Sequence, residues 1–264
     1  MKTVGIIGVG LIGGSFALAL RKAGFSGKII GVSSPATIAK AVKAGVIDEG
    51  MPLAHASAAS DLVYLSQPIQ QILETLDVLQ TDALITDAGS TKAAICERAK
   101  KFKRGRFVGG HPMAGKERRG VEEADADLFR GRPYILTERE PELASWIERI
   151  GARLVILKPE EHDRLVALVS HLPQLVSTAL ASSIGDDPGA AMVAGPAAVD
   201  LTRLALSPYE IWRDIFVTNA NSIDAALTGF IGKLEGLRAK LRSPEMERAF
   251  TKAESAARKL RSEF

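Results

Sequence analysis

The segment GGHPMAG, residues 109–115, sets one imidazole, His111, among glycines and a proline in a chain that has only four histidines. Glycine and proline direct a backbone rather than fill a core, so the sequence holds in one place a group that titrates near neutral pH. The segment DAGSTK, residues 87–92, puts Ser90 in a second glycine-containing turn. A serine hydroxyl beside an imidazole can hydrogen-bond one ring nitrogen and so set the tautomer and orientation of the ring. What such a rigidly placed imidazole serves depends on what the rest of the chain can bind.

A third segment bears on what that is. GIIGVGLIGGS, residues 5–15, carries Gly8, Gly10 and Gly13 in the pattern G-x-G-x-x-G between an apolar run and a helical pattern. Gly8 permits the tight turn, Gly10 lets a pyrophosphate approach the backbone, and Gly13 lets helix and strand pack closely. The first N–H groups of the helix, from Leu11 and Ile12 onward, then face the phosphates. Gln67, after the apolar run 62–66, joins these as an expected cofactor contact. The second apolar run ends in GVSSPAT, with Ser33 and Ser34 where NAD-binding folds place a carboxylate for the ribose 2′-OH. Ser33, Ser34, Thr37 and Lys40 are donors suited to a 2′-phosphate, and no carboxylate occurs between Gly14 and Asp48. NADP is therefore the expected cofactor, with NAD possible.

Two kinds of periodicity must position these groups. Up to residue 157, apolar runs at 3–8, 28–32, 62–66, 83–89, 106–110, 133–137 and 152–157 alternate with helical patterns at 11–23, 35–44, 68–79, 91–102 and 140–150. Strands buried on both faces and joined by helices predict a doubly wound, mostly parallel α/β sheet of Rossmann type over 1–157. The Ser90 and His111 segments both follow strands, where ligands of such sheets collect. From residue 158 the pattern is helical throughout, with Pro159, Pro208 and Pro244 opening apolar-periodic segments and Ser207 and Ser243 placed as N-caps. An all-α domain over 158–264 follows. Ile223, Leu227, Phe230, Leu234, Leu237 and Leu241 are spaced 4-3-4-3-4, as are Met246, Phe250, Ala253, Ala257, Leu260 and Phe264. Such seams pack along a neighbouring helix, within the chain or across a homodimer formed through the helical domain.

Composition narrows the function classes. The chain has 264 residues, 46% hydrophobic and 25% charged, with a net charge of +3. No dense Lys/Arg run with interleaved aromatics is present, so no nucleic-acid partner is expected. No uninterrupted apolar stretch reaches the length of a membrane span, and the N-terminus lacks the apolar core of a signal peptide. A single cysteine, Cys96, excludes an internal disulfide and cysteine-rich metal sites. A small-molecule ligand, no membrane, no metal and a cytoplasmic setting are the expectations.

In order along the chain, GVGLIGGS, DAGSTK, GGHPMAGKE, GVEEADADLFRGRPYILT, SHLPQ and DLTRLALSPYEIWRDI resemble the prephenate/arogenate dehydrogenases of tyrosine biosynthesis. The resemblance spans nearly the whole chain and, with no mutase segment before it and no regulatory domain after it, points to the monofunctional form. It implies oxidative decarboxylation of a cyclohexadienol with hydride transfer to NAD(P), giving 4-hydroxyphenylpyruvate or tyrosine. Under it His111 is the catalytic histidine and Ser90 its partner. Arg203 in DLTRLA grips a substrate carboxylate, His171 in SHLPQ lies on the substrate side, and Arg213 in IWRDI belongs to the same substrate-binding pattern, with Trp212 as packing. Gln174 stands where a second histidine is common, and PAAVDLTR replaces GGFRDTTR. These departures bear on the choice between prephenate and arogenate, not on the reaction class.

Two other readings stand beside this one. A β-hydroxyacid dehydrogenase or imine reductase would place a catalytic lysine or a different acid in the helical domain, and Lys92, which directly follows the Gly-Ser-Thr turn, keeps this reading open. A non-enzymic dinucleotide sensor would not need His111, Ser90, His171 and Arg203 together. His162 in PEEHDR reads as a local capping or packing group, His55 as a surface residue and Cys96 as a small buried hydrophobe.

Overall fold

In the computed structural model, residues 1–102, 105–116 and 118–262 are described. Glu117 of the GGHPMAGKE motif and Phe264 of the second apolar seam lie outside them.

The chain opens with β1 (Thr3–Ile7), α1 (Leu11–Lys22), β2 (Lys28–Val32), α2 (Pro35–Lys43), β3 (Glu49–Gly50), α3 (Leu53–Ala59), β4 (Leu62–Leu65), α4 (Ile69–Val78), β5 (Leu84–Asp87), α5 (Ala93–Ala99) and β6 (Arg106–Val108). These strands form one parallel sheet in the order β3-β2-β1-β4-β5-β6. That is the Rossmann order, whose reversal lies between β1 and β4, and it meets the expected fold class. The β4 sequence LVYL is buried at every position, as a strand covered on both faces must be. The two-residue β3 and the short α3 are additional to the expected elements, because neither is long enough to show a period.

The apolar run 106–110 does not continue as one strand. The chain turns out of the sheet at Gly109, where an added Cβ would stand 2.8 Å from the Thr137 methyl carbon and 2.9 Å from the Cys96 sulfur. A second sheet follows, β7 (Gly110–Pro112), β8 (Pro133–Leu136) and β9 (Arg153–Ile156), with α6 (Pro141–Arg149) between the last two. β7 runs antiparallel to β8, and β8 parallel to β9. The shared core includes Phe16 stacked on Tyr64 at 4.0 Å, with the Tyr134 hydroxyl donating to the Tyr64 hydroxyl at 3.1 Å.

From α7 (Pro159–Val166) onward the structure is helical, through α8 (Leu172–Gly185), α9 (Pro196–Thr202), α10 (Tyr209–Thr218), α11 (Ala220–Ala239) and α12 (Glu245–Ser262). Two compact units result. The first holds residues 1–166 and 206–219, so α7 and α10 belong to the unit of the parallel sheet; the second holds 167–205 and 220 onward. Ser207 is not the N-cap of α10: Pro208 occupies that position, and the Ser207 hydroxyl accepts the Trp212 indole N–H at 2.9 Å. Ser243 does accept the backbone N–H of Glu245 at the start of α12, at 3.2 Å.

Within the second unit, a π-helical turn, Ala167–His171, leads into α8. The continuous helix Pro159–Gly185 is long and apolar enough, by length and composition, to cross a membrane. Four polar side chains along it, His162, Asp163, His171 and Gln174, are buried. The α11 seam is buried at Ile223 but runs exposed through Leu234, Leu237 and Leu241, and Phe250 and Leu260 of α12 are exposed as well.

Candidate active site

The glycine turn after β1 leaves a different space at each of its glycines. Gly8 has φ of 98°, a conformation that costs an L side chain energy, and a Cβ there would meet the Ser66–Gln67 backbone at 2.9 Å. Gly13 lies against the turn itself, its added Cβ falling 2.3 Å from the Gly8 carbonyl oxygen and 2.4 Å from the Ser66 hydroxyl. Gly10, the N-cap of α1, faces space in which a Cβ would meet nothing within 4 Å. Leu11 and Ile12 begin α1, whose first turn carries no acidic residue. A cradle open at Gly10 and closed at Gly13, set at a helix N-terminus, fits a dinucleotide pyrophosphate. Gln67 sits at the end of β4 beside this turn, its side-chain oxygen accepting from the Thr75 hydroxyl at 3.0 Å.

After β2, Ser33 and Ser34 are exposed. The Ser34 hydroxyl caps α2, accepting the Thr37 backbone N–H at 3.3 Å and lying 2.9 Å from the Thr37 hydroxyl. Lys40 pairs with Glu122, which a distant segment brings to the same surface. That pairing lowers the Glu122 carboxyl pKa.

His111 lies on β7 opposite Ile135 of β8 and is 9% exposed. It is held by a short strand rather than by a loop. Asp87, at the end of β5, ties this strand to the Ser90 turn: its carboxylate accepts the Gly89 N–H at 2.8 Å and the Gly110 N–H at 3.0 Å. The same carboxylate forms a fully buried ion pair with Lys92. Lys92 is thereby committed to the scaffold and is not presented as a catalytic amine. One ring partner of His111 is a residue that the sequence did not single out for this role. The His111 Nδ1 is 2.8 Å from Nε2 of His162 on α7, while Ser90 occupies the turn alongside. His162 Nδ1 is in turn 2.8 Å from the Asp163 carboxylate. Asp163 also accepts the backbone N–H groups of Lys92 at 2.7 Å and Ala93 at 2.9 Å, which joins α7 to the start of α5.

His162 is thus not a local cap. The adjacent His-Asp pair in PEEHDR was the available signal, but sequence gives no way to know that the first turn of α7 packs behind β7. Burial, the largest influence on it, lowers the His162 pKa below 6.5 against the opposing pull of Asp163. Cys96, near Gly109, is pushed up to about 12 by burial and is an inert thiol.

The remaining expected residues fall in both units. Arg213, on α10 of the first unit, is exposed and donates to Asp214 at 3.1 Å, and the Asp214 carboxylate also accepts the Gln70 backbone N–H at 3.1 Å. In the second unit, His171 is buried at the end of the π-helical turn, and Arg203 is exposed where α9 ends. Gln174, one turn after His171, is buried with its Oε1 lacking a hydrogen-bond partner. Among the described residues, no cluster of His, Cys, Asp or Glu is arranged to hold a metal ion.

Residues 16–168 match the family model described as prephenate dehydrogenase, nucleotide-binding domain, and residues 158–253 the one described as prephenate dehydrogenase, dimerization domain. The chain is 34% identical over 253 residues to a prephenate dehydrogenase of Lactococcus lactis, covering 91% of this chain and 72% of that protein. Its fold is similar to that of a prephenate dehydrogenase from A. aeolicus solved with hydroxyphenyl propionate and NAD+, with a TM-score of 0.88, 33% identity and 98% of each chain covered. It is also similar to a Synechocystis arogenate dehydrogenase, with a TM-score of 0.83, 30% identity, and 98% of this chain and 99% of that one covered.

Proposed function

The chain belongs to the prephenate/arogenate dehydrogenase family, and we propose that this oxidoreductase decarboxylates prephenate, arogenate or both as it oxidises them. When bound, a nicotinamide dinucleotide supplies the hydride acceptor. His111 accepts the proton of the ring hydroxyl as hydride leaves the same carbon; the ring carboxylate then departs as carbon dioxide, its bonding pair aromatises the ring, and His111 returns the proton to the phenolate oxygen. A base that takes this proton lowers the barrier because positive charge otherwise accumulates on the C–OH group. The observation that carries the reading is the Asp87 carboxylate, which binds Gly89 and Gly110 at once and so holds the Ser90 turn and the His111 strand together.

His171, Arg203 and Arg213 are assigned to the substrate, whose two carboxylates suit guanidinium partners, and Ser90 to the orientation of the reacting groups. Gly8, Gly10, Leu11, Ile12, Gly13 and Gln67 are assigned to the dinucleotide. Ser33, at the position where a carboxylate would favour NAD, supports a modest preference for NADP, with Ser34 and Thr37 beside it. The substrate of the relative from Synechocystis is arogenate and that of the Lactococcus protein prephenate by name, so both belong in the test.

One assay matrix tests this reading: prephenate and arogenate, each with NAD and NADP, on the wild type and on His111→Asn. We expect reduced dinucleotide to accumulate with at least one substrate, kcat/KM to be higher with NADP, and His111→Asn to lose about 10²–10⁴-fold in kcat while keeping its fold. A His111→Asn enzyme as active as the wild type would remove His111 from the chemistry, and a clear preference for NAD would overturn the reading of Ser33.

A further inference from the structure

We propose that His162 and Asp163 are positioning residues that fix the tautomer of His111, so that its Nε2 carries the lone pair that takes the substrate proton. The inference deepens the reading of His111 as the base and rests on it.

The polarity of the chain Asp163–His162–His111 follows from its two ends. The Asp163 carboxylate is an acceptor, so the His162 Nδ1, 2.8 Å away, carries a proton and donates it. A neutral His162 then has its lone pair on Nε2. The His111 Nδ1, 2.8 Å from that Nε2, must be the donor, which places the His111 lone pair on its own Nε2. A protonated His162 would reverse the second bond, donating to Nδ1 of His111 and putting the proton on the wrong nitrogen. Burial decides between these two cases. The His162 side chain has no solvent exposure, and burial favours its neutral form. The charged groups around it are Asp163 on its own helix, Lys92 at the start of α5 and Asp87 at the end of β5, with His111 facing it from β7. Lys92 and Asp87 are paired with each other, which leaves Asp163 as the carboxylate in contact with the ring.

The geometry also explains why Asp163 can serve as a fixed anchor. The backbone N–H groups of Lys92 and Ala93 hold its two oxygens, so the carboxylate does not turn away from His162. Once His111 has taken the substrate proton, the imidazolium still donates from Nδ1 into the same chain, and the anionic end of that chain stabilises it.

The test reads the tautomer directly. The full chain, labelled with 15N-histidine, is examined near neutral pH by long-range 1H–15N correlation, with His111 assigned from its absence in His111→Asn. We expect a pyrrole-type Nδ1 and a pyridine-type Nε2 for His111. In parallel, His162→Phe fills the ring volume without an acceptor, and His162→Gln restores an acceptor oxygen. We expect kcat to fall about 10²-fold in the Phe variant with little change in KM, and about tenfold of that to return in the Gln variant. A wild-type His111 protonated at Nε2, or a His162→Phe enzyme with unchanged kcat, would overturn the proposal. Should His162→Phe not fold, the wild-type spectrum still decides. An Nε2–H tautomer in an enzyme that His111→Asn disables removes the relay alone; an active His111→Asn removes the base itself.

Discussion

His162 carries a cost that depends on pH as well as a position. Its ordinary pKa is 6.5, and burial in the fold lowers it. The unfolded chain therefore binds a proton at this residue before the folded chain does as pH falls. The stability associated with neutral His162 is present above 6.5 and is lost as pH drops through the folded-state value. Carboxylates lie in a separate window. Asp61 is lowered from 3.8 chiefly by the Lys2 and Thr3 backbone N–H groups, so its contribution is lost only in more acidic solution. We expect the thermal midpoint of the wild type to fall more steeply between pH 7.5 and 5 than that of His162→Gln, measured by calorimetry or dye-monitored melting; parallel curves would show that His162 charges freely in the fold. At this scale the sequence was half legible. The glycine-proline frame singled out His111, but its partners His162, Asp163 and Asp87 lie 51, 52 and 24 positions away, and no local pattern announces which of them will meet. The histidine that reaches the His111 Nδ1 is brought in by tertiary packing.

At the scale of elements, what repeats in the sequence was readable and what does not repeat was not. Long apolar runs with helices between them gave the parallel sheet and the glycine turn at its first crossover. At Gly109, where the chain leaves for a second sheet, a Cβ would crowd Thr137 and, from α5 and its N-cap, Cys96 and Lys92, two segments distant in sequence. The glycine turn offers a prediction that separates folding from binding. At Gly13 a Cβ would overlap the Gly8 carbonyl, a backbone atom that moves only with the turn, so Gly13→Ala should destabilise by about 1–3 kcal/mol and lower the melting temperature by several degrees. At Gly10 a Cβ meets no protein atom, so Gly10→Ala should melt as the wild type does while raising KM for the dinucleotide, because the methyl fills the approach left for the pyrophosphate. Melting curves and cofactor titrations on the two variants check this. The two glycines behaving alike in both measurements would mean that the turn does not divide its roles as its geometry indicates.

For the whole molecule, the deciding feature is apolar surface that a single chain leaves in water. Leu234, Leu237 and Leu241 continue a seam whose first residue, Ile223, is buried, and Phe250, 69% exposed, and Leu260, 63% exposed, extend the apolar surface on α12. Leu234 and Leu237 follow the seam spacing on α11, Leu241 lies just past its end, and Phe250 and Leu260 lie on α12, a pattern suited to a partner helix. Fully burying a side chain of this size is worth about 1.5–3 kcal/mol, of which these partly exposed residues forgo a share, and together they form a patch of the kind that marks an interaction surface. All of these residues but Leu260 fall within residues 158–253, which match a dimerization domain. A second copy of the chain is the occupant that fits, since a two-fold pairing brings identical seams together. We expect light scattering at micromolar concentration to give a dimer. Leu234→Glu should shift it to monomer or to aggregate, because a carboxylate set in the middle of the seam would have to be buried unpaired in each copy. The substitution lies at an exposed position, so its effect on the isolated subunit should be small. A wild-type chain that stays monomeric at that concentration, or a Leu234→Glu variant that dimerises normally, would show that the seam is covered by something other than its own copy.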